Sequence, residues 1–159
     1  MNKNRRFATE YLERYPDNPR RNAMLLGSAG LGKTFLLECV AKELKKKEDG
    51  ILYLSALELT ELFYQHRLGR MNLLQPILDA KVLFVDDLGT EPMTQNVTVE
   101  YYFRLFDYRL RKSLPFWVAT NLNMNQIQAR YGERTASRLF DNKSTSVLFF
   151  IGEDLRLKK

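Results

Sequence analysis

Residues 27–34 read Gly27-Ser28-Ala29-Gly30-Leu31-Gly32-Lys33-Thr34 and fit the pattern G-x-x-x-x-G-K-[ST] at every fixed position. An apolar run at 23–26 precedes them, and a segment of helical periodicity begins near Lys33. Glycines allow a backbone path in which consecutive N–H groups turn toward phosphate oxygens at the positive end of a helix. The stretch therefore predicts a phosphate loop, with Lys33 for the β- and γ-phosphates and Thr34 for Mg²⁺.

The rest of the chain alternates between short apolar runs and longer segments of helical pattern. The runs fall at 23–26, 51–54, 82–85, 116–119 and 147–151, and the helical segments at 33–48, 56–66, 94–113 and 123–142. Runs that are apolar throughout suit strands covered on both faces, so the pattern predicts an α/β fold with a parallel sheet between helices. A helix is also expected over 4–15, giving an N-terminal helix and connector at 1–20 and one main domain at 21–159.

Two acidic residues follow the third apolar run. Asp86 and Asp87 end the sequence Lys81-Val-Leu-Phe-Val-Asp-Asp. A phosphate loop of this type requires a second strand ending in an acid that reaches the magnesium shell, and a divalent cation compensates buried carboxylates well. We therefore assign Asp86 to Mg²⁺ and Asp87 to the water that attacks the γ-phosphate. The alternative is that one of these side chains only caps a turn before Gly89.

Polar residues also follow the fourth run and occupy a later helical segment. Asn121 comes at the carboxyl end of its strand, where ligands bind in open α/β sheets, although it could equally cap a helix. Arg134 and Arg138 lie four residues apart on one helical face. Exposed arginines are usually only solvated, but a pair directed at a neighbour's phosphate would stabilise transition-state charge.

Composition excludes several other classes of protein. The chain has 159 residues, one cysteine, one histidine and a net charge of +6, which favours anionic partners. Cys39 alone cannot form an intramolecular disulfide, and with His66 it cannot form a zinc site of the usual kind. No run of about 18 apolar residues occurs. The sequence thus predicts a protein of a reducing compartment, most simply the cytoplasm, with no membrane partner.

The order of these motifs resembles the AAA+ ATPases, and among them the DnaC/DnaI-type helicase loaders and the related IstB-like transposition ATPases. The likeness covers about residues 5–157. It is carried by VLFVDDLG at 82–89, WVATN at 117–121, Ser-Arg-Leu at 137–139 and Gly-Glu-Asp-Leu-Arg at 152–156. The stretch DDLGTEP at 86–92 resembles the loaders of low-GC Gram-positive bacteria.

The resemblance implies a role for each motif. It makes 27–34 the Walker A loop, Asp86 and Asp87 Walker B, Asn121 sensor 1, and Arg138 an arginine finger acting in trans, with Arg134 the second candidate. Arg156 matches the sensor 2 arginine that reaches the nucleotide in cis. The family implies a three-layer α/β/α fold with five parallel strands and no C-terminal lid domain. It also implies homo-oligomers and ATP hydrolysis that is slow and stimulated by oligomerisation or DNA.

The segment 64–70 is a candidate contact for single-stranded DNA. Tyr64, Arg67 and Arg70 combine an aromatic ring with cations, as single-stranded nucleic acid requires, and the loaders contact DNA near this point. A solvated helix end explains the same residues equally well. The resemblance also implies the replicative helicase as a partner. Loaders grip it through an N-terminal region, whereas only about twenty residues precede the first strand here, so we expect an excised ATPase domain or a lost contact.

Three other functions share much of this pattern. An IstB-like transposition ATPase would carry nearly every residue discussed. A protein-binding switch would bind ATP while its hydrolysis is vestigial, which the short Asp87 side chain favours. A small nucleotide or metabolite kinase would share the phosphate loop, but Asn121 and the Ser-Arg-Leu segment argue against it.

Overall fold

The structure, a computed structural model, describes residues 2–158. Within them lie five strands: β1 (Asn22–Leu26), β2 (Ile51–Ser55), β3 (Val82–Leu88), β4 (Phe116–Thr120) and β5 (Thr145–Phe149). The α-helices of the same residues are α1 (Lys3–Arg14), α2 (Lys33–Lys47), α3 (Ala56–Arg67), α4 (Leu74–Leu78), α5 (Thr98–Arg111), α6 (Met124–Tyr131) and α7 (Glu133–Leu139). A 3-10 turn, Leu155–Leu157, follows β5. No helix in this part of the chain is both long and apolar enough to cross a bilayer.

The five strands form one parallel sheet in the order β2-β3-β4-β1-β5. β1 lies between β4 and β5, and its residue Leu26 is paired with Thr120 on one side and Phe149 on the other. Because all strands run in the same direction, the segments that follow them emerge at one edge of the sheet. The predicted α/β fold with five parallel strands is confirmed.

Helices cover both faces of the sheet and make it three layers thick. The helices α1 and α2 pack on one face, and α3 to α7 pack on the other. Successive residues of β1 alternate between these two cores: Ala23 and Leu25 face the first, and Met24 and Leu26 face the second. This double burial explains why the strand sequences are continuously apolar instead of alternating.

Two predicted boundaries in the last third of the chain were wrong. The helical segment at 123–142 is two helices, which meet at Gly132 with φ of +94°. Glycine adopts this left-handed region without strain, so it ends α6 and redirects the chain. The last strand begins at Thr145 and ends at Phe149, while Ile151, placed inside it by the apolar run, is 92% exposed. Pairing of Asn22 with Thr145 sets this register despite the polar Thr145-Ser146.

Other boundaries differ less. The short helix α4 was not predicted, α5 begins at Thr98 instead of 94, and β3 continues through both aspartates. The N-terminal helix lies where it was expected. After β5 the 3-10 turn is the last regular element up to residue 158, so the described chain contains no lid domain. Met1 and Lys159, the outer bounds of the two predicted segments, lie outside the described residues.

Candidate functional site

A cavity of about 400 Å³ lies at the carboxyl edge of the sheet. Residues from four separate segments line it, namely Ala29, Gly30, Gly32, Lys33, Thr34, Asp87, Asn121, Leu155 and Arg156. The phosphate loop follows β1, Asp87 lies at the end of β3, Asn121 follows β4, and Arg156 lies after β5. The parallel sheet thus brings together most of the predicted site residues, although they are far apart in sequence.

The phosphate loop has two glycines that no other residue replaces without rearrangement. Gly27 has φ of +151° and Gly30 has φ of +76°. A Cβ atom at Gly27 would collide with the backbone of Phe150, and one at Gly30 would collide with the carboxylate of Asp154. The backbone N–H of Leu155 also donates to the carbonyl of Gly30 at 2.8 Å. The chain after β5 therefore packs directly against the loop.

Lys33 lies at the first turn of α2 and is 7% exposed. Its ammonium group donates to the carbonyls of Gly27 and Ser28, each at 2.6 Å. Burial lowers the pKa of Lys33, and the carboxylates of Asp87 and Asp86 partly oppose that effect. A charged amine is thus held at the centre of the loop, where it can neutralise an anion.

Asp86 is 6% exposed, and both of its carboxylate oxygens are engaged. Oδ1 accepts from the Thr34 hydroxyl at 3.1 Å and from the Asp87 N–H at 2.9 Å, and Oδ2 accepts from the Tyr53 hydroxyl at 2.8 Å. Burial and the neighbouring Asp86 carboxylate raise the pKa of Tyr53, so the phenol stays protonated and donates. A hydroxyl beside a carboxylate is an oxygen donor set that fits Mg²⁺.

Asp87 has a left-handed backbone conformation, with φ of +53°. Its carbonyl accepts from the Thr90 N–H at 3.2 Å and from the Thr90 hydroxyl at 2.8 Å. The side chain that caps the following turn is Glu91, which accepts from the Gly89 N–H at 2.8 Å. Burial, followed by repulsion from Asp86, raises the pKa of Asp87 above that of an ordinary carboxyl group. The nearby Lys33 ammonium partly opposes this rise, and the Asp87 side chain lines the cavity.

Glu91 is a residue whose importance the sequence did not reveal. Its side chain is fully buried, receives a hydrogen bond from the Tyr131 hydroxyl, and lies 3.6 Å from Nε of Arg130. The Arg130 guanidinium also donates to the Glu91 carbonyl. Glu91 thus joins the turn after Asp87 to the end of α6. No local pattern indicates its burial, because both partners lie about forty residues later.

Asn121 lies directly after β4, and its exposed side chain lines the cavity. The residue that caps α6 is Asn123, whose side chain accepts from the Gln126 N–H in a reciprocal capping box. The preceding Thr120 is buried and donates to the Leu88 carbonyl at 2.6 Å, which ties β4 to the end of β3. The helix cap is therefore supplied by another residue, and the amide of Asn121 is left at the site.

Arg156 belongs to the 3-10 turn and is exposed at the rim of the cavity. Two of its guanidinium nitrogens donate to the Asp154 carboxylate, at 3.0 and 2.8 Å. These hydrogen bonds raise the pKa of Arg156 and lower that of Asp154. Because Asp154 also lies against Gly30, it orients Arg156 beside the loop. Asp154 lies within the motif Gly-Glu-Asp-Leu-Arg at 152–156, but nothing in that motif indicates this orienting role.

The two candidate finger residues do not line the cavity of their own chain. Arg138 is paired with Asp107 of α5 at 3.2 Å. The Arg134 guanidinium lies over the Phe103 ring, 3.9 Å from its centroid. Both arginines therefore lie on a surface formed by α5 and α7.

The predicted DNA-contacting residues lie at the end of α3 and in the loop after it. Tyr64, Arg67 and Arg70 are all exposed. His66, in the same segment, is instead tied to α5, since its Nδ1 atom lies 2.9 Å from the Tyr101 hydroxyl. Like the two finger candidates, Tyr64, Arg67 and Arg70 do not line the cavity beside the phosphate loop.

Comparison with known proteins gives one family and a consistent set of relatives. Residues 15–159 match the model of the family described as IstB-like ATP binding protein. The chain is 28% identical over 128 residues to "Replicative helicase loader DnaI" of Bacillus subtilis (strain 168). It is 24% identical over 148 residues to "Replicative helicase loader DnaC" of Escherichia coli (strain K12). The solved structure titled "Crystal Structure of the DnaI" superposes with a TM-score of 0.78 and 26% identity, covering 95% of this chain and 87% of that one.

The curated relatives are longer than the matched region. The aligned segments span 77% of this chain and 40% of the Bacillus subtilis protein, and 89% of this chain and 59% of the Escherichia coli protein. The match therefore concerns one part of each relative.

The buried pair of Glu91 and Arg130 leads to a stability prediction. We expect Arg130→Met to lower the free energy of unfolding by about 3 kcal/mol, because it leaves the Glu91 carboxylate buried without its cation. The double variant Glu91→Gln/Arg130→Met removes both charges and should lose less. Urea unfolding of the wild type, of Arg130→Met, of Glu91→Gln and of the double variant measures the coupling between the two side chains. Equal losses in Arg130→Met and the double variant would contradict the prediction.

Proposed function

The chain belongs to the IstB-like ATP binding protein family, and on that premise we propose that it is the ATP-hydrolysing module of a replicative helicase loader. The observation that carries the proposal is the convergence of the phosphate loop, Asp87, Asn121 and Arg156 on one cavity. Two relatives whose printed names are replicative helicase loaders support the biological role.

Nucleotide binding would use the loop and the first turn of α2. Backbone N–H groups of 27–34 bind phosphate oxygens at the positive end of the helix, and the Lys33 ammonium turns from its loop carbonyls to the phosphates. Thr34 and Asp86 would hold Mg²⁺, which neutralises charge on the β- and γ-phosphates when bound. Arg156, oriented by Asp154, adds a positive charge in cis at the same cavity.

A second cavity of about 330 Å³ adjoins the first and suits the nucleoside. Gly32 and Leu155 line both cavities, so the two spaces meet beside the phosphate loop. Its remaining lining combines the apolar side chains of Leu31, Phe35, Leu36 and Phe150 with the polar side chains of Asn2, Asn4 and Arg5. A mainly apolar space with a few polar groups is the composition expected of a site for a purine base. We assign the base of ATP to this space.

Hydrolysis would depend on Asp87 and Asn121. The raised pKa of Asp87 makes its carboxylate a stronger base toward the attacking water than an ordinary aspartate. The amide of Asn121, across the cavity, would hold that water or contact the γ-phosphate. The Asp87 side chain is one methylene shorter than that of a glutamate. We propose that ATP turnover is therefore slow until oligomerisation or DNA binding completes the site.

Arg138 would complete the site of a neighbouring subunit. Its position on the surface of α5 and α7, away from its own cavity, supports action in trans within a homo-oligomer. Arg134 remains the second candidate for this role. A guanidinium inserted beside the γ-phosphate stabilises the charge that develops in the transition state.

The loader role implies two macromolecular partners, the replicative helicase and single-stranded DNA. We propose that Tyr64, Arg67 and Arg70 contact the DNA, since their exposure leaves the ring free to stack and both guanidinium groups free to bind phosphates. A cytoplasmic location follows from these partners. A transposition ATPase and a nucleotide-gated switch remain the alternative roles for the same site.

Hydrolysis is tested by two substitutions. We expect Lys33→Ala to abolish ATP turnover through loss of phosphate binding. Asp87→Asn should retain ATP binding and lower kcat by about 10²-fold or more, as loss of a general base does. Phosphate release and equilibrium binding of ATP measure the two effects. Binding without turnover in both the wild type and Asp87→Asn, even with DNA, would favour the switch, and transfer to a nucleoside monophosphate would favour a kinase.

Action in trans is tested by mixing two inactive variants. Arg138→Ala should lower kcat by about 10³-fold or more, as loss of an arginine finger does. Mixed with Lys33→Ala, whose own site is inactive but whose Arg138 is intact, it should recover turnover well above the sum of the separate rates. Arg134→Ala is the matched control. Recovery with Arg134→Ala in place of Arg138→Ala would identify Arg134 as the finger.

The DNA contact is tested by removing its two cations. We expect Arg67→Ala/Arg70→Ala to weaken binding to oligo(dT) and to reduce the slope of log affinity against log salt by about 1.4, the value for two lost phosphate contacts. Lys45→Ala/Lys46→Ala, which removes two exposed charges elsewhere, is the control. Equal effects of both double variants would contradict a local DNA site.

A further inference from the structure

Among the hydrogen bonds that the described residues give to the Asp86 carboxylate, the one from Tyr53 comes from outside the two nucleotide-binding motifs. Oδ1 of Asp86 is held by Thr34 and by its neighbour's N–H, whereas Oδ2 is held by the Tyr53 hydroxyl at 2.8 Å. These three bonds fix the plane of the carboxylate. Without the phenol, Oδ2 would have no donor among the bonds that the structure gives to Asp86.

The sheet explains how Tyr53 reaches this carboxylate. It lies on β2 and is paired with Phe84 of β3, two residues before Asp86 and on the same face of the strand. Its ring is stacked on Phe84, with centroids 6.2 Å apart and planes inclined by 17°. Because Phe84 is fully buried, it holds the Tyr53 ring in place. The Tyr53 hydroxyl then reaches the Asp86 carboxylate.

We propose that Tyr53 is a positioning residue for the magnesium site: its hydroxyl holds Oδ2 of Asp86 so that Oδ1 stays directed at Thr34 and the metal. This inference rests on the proposed nucleotide function of the cavity. The phenol touches neither nucleotide nor metal in this role and acts through Asp86. Hydrogen bonds of this kind around a metal ligand are worth about 10- to 100-fold in metal affinity.

The isosteric variant Tyr53→Phe removes the hydroxyl and keeps the ring stacked on Phe84. The chain offers a matched control in Tyr108, whose hydroxyl donates a hydrogen bond to the carboxylate of Asp79. Tyr108 does not line the cavity. Both variants, Tyr53→Phe and Tyr108→Phe, lose one phenol–aspartate hydrogen bond, but the second loses it outside the site. Any effect found with Tyr53→Phe alone is therefore specific to Asp86.

The measurement is a Mg²⁺ titration of nucleotide binding, using a fluorescent ATP analogue at fixed concentration. We expect Tyr53→Phe to bind the analogue in EDTA as the wild type does, but to require about 10-fold more Mg²⁺ for its half-maximal response. Tyr108→Phe should follow the wild-type curve. Thermal unfolding without nucleotide should give a midpoint a few degrees lower for Tyr53→Phe than for the wild type, because Oδ2 of the buried Asp86 carboxylate loses its donor.

Each other outcome has a distinct meaning. A Tyr53→Phe curve that superposes on the wild-type curve overturns the inference and leaves the proposed function intact. Loss of metal-free binding by Tyr53→Phe shows a general structural role and also overturns it. A wild-type chain that binds no nucleotide at any Mg²⁺ concentration overturns the proposed function itself.

Discussion

The pairing of β1 with both β4 and β5 is the constraint on which the candidate site depends. β1 directs the chain into the phosphate loop, β4 delivers Asn121, and the segment after β5 delivers Arg156. The parallel direction of the strands brings these three segments to one edge of the sheet, and the register sets how closely they approach one another. Phe150 lies against Gly27, and the Leu155 N–H donates to the Gly30 carbonyl. The chain after β5 is therefore held directly against the phosphate loop.

Charge compensation organises the cavity within that frame. Lys33 is buried among carbonyls near two carboxylates, and Asp86 is surrounded by hydroxyl and N–H donors. Burial and the Asp86 carboxylate raise the pKa of Asp87, and the Lys33 ammonium partly opposes that effect. The arrangement holds the Asp86 carboxylate by hydrogen bonds and leaves the Asp87 carboxylate at the cavity, so the two adjacent acids differ in their surroundings.

Much of the site could be predicted because its signals are local in sequence. The phosphate loop and the two aspartates each lie within a few consecutive residues, and the parallel sheet follows from apolar runs separated by helices. The roles of Tyr53 and Glu91 could not be predicted, because their partners lie 33 and about forty residues away. Arg109 is fully buried, and its guanidinium group donates to the carbonyls of Leu78 and Pro115. No periodicity in the sequence indicates this burial. Likewise β5 includes polar Thr145 and Ser146 because pairing with β1, not hydropathy, sets its start.

The strand order also determines when the loop can form during synthesis. β1 is made early, yet one of its neighbours follows some ninety residues later and the other about 120 residues later. Pairings so distant in sequence form slowly, because closing the long intervening loop costs conformational entropy before the contacts repay it. The phosphate loop therefore acquires its full support only after β5 has left the ribosome. Nucleotide binding by a nascent chain would accordingly report that the whole sheet is complete.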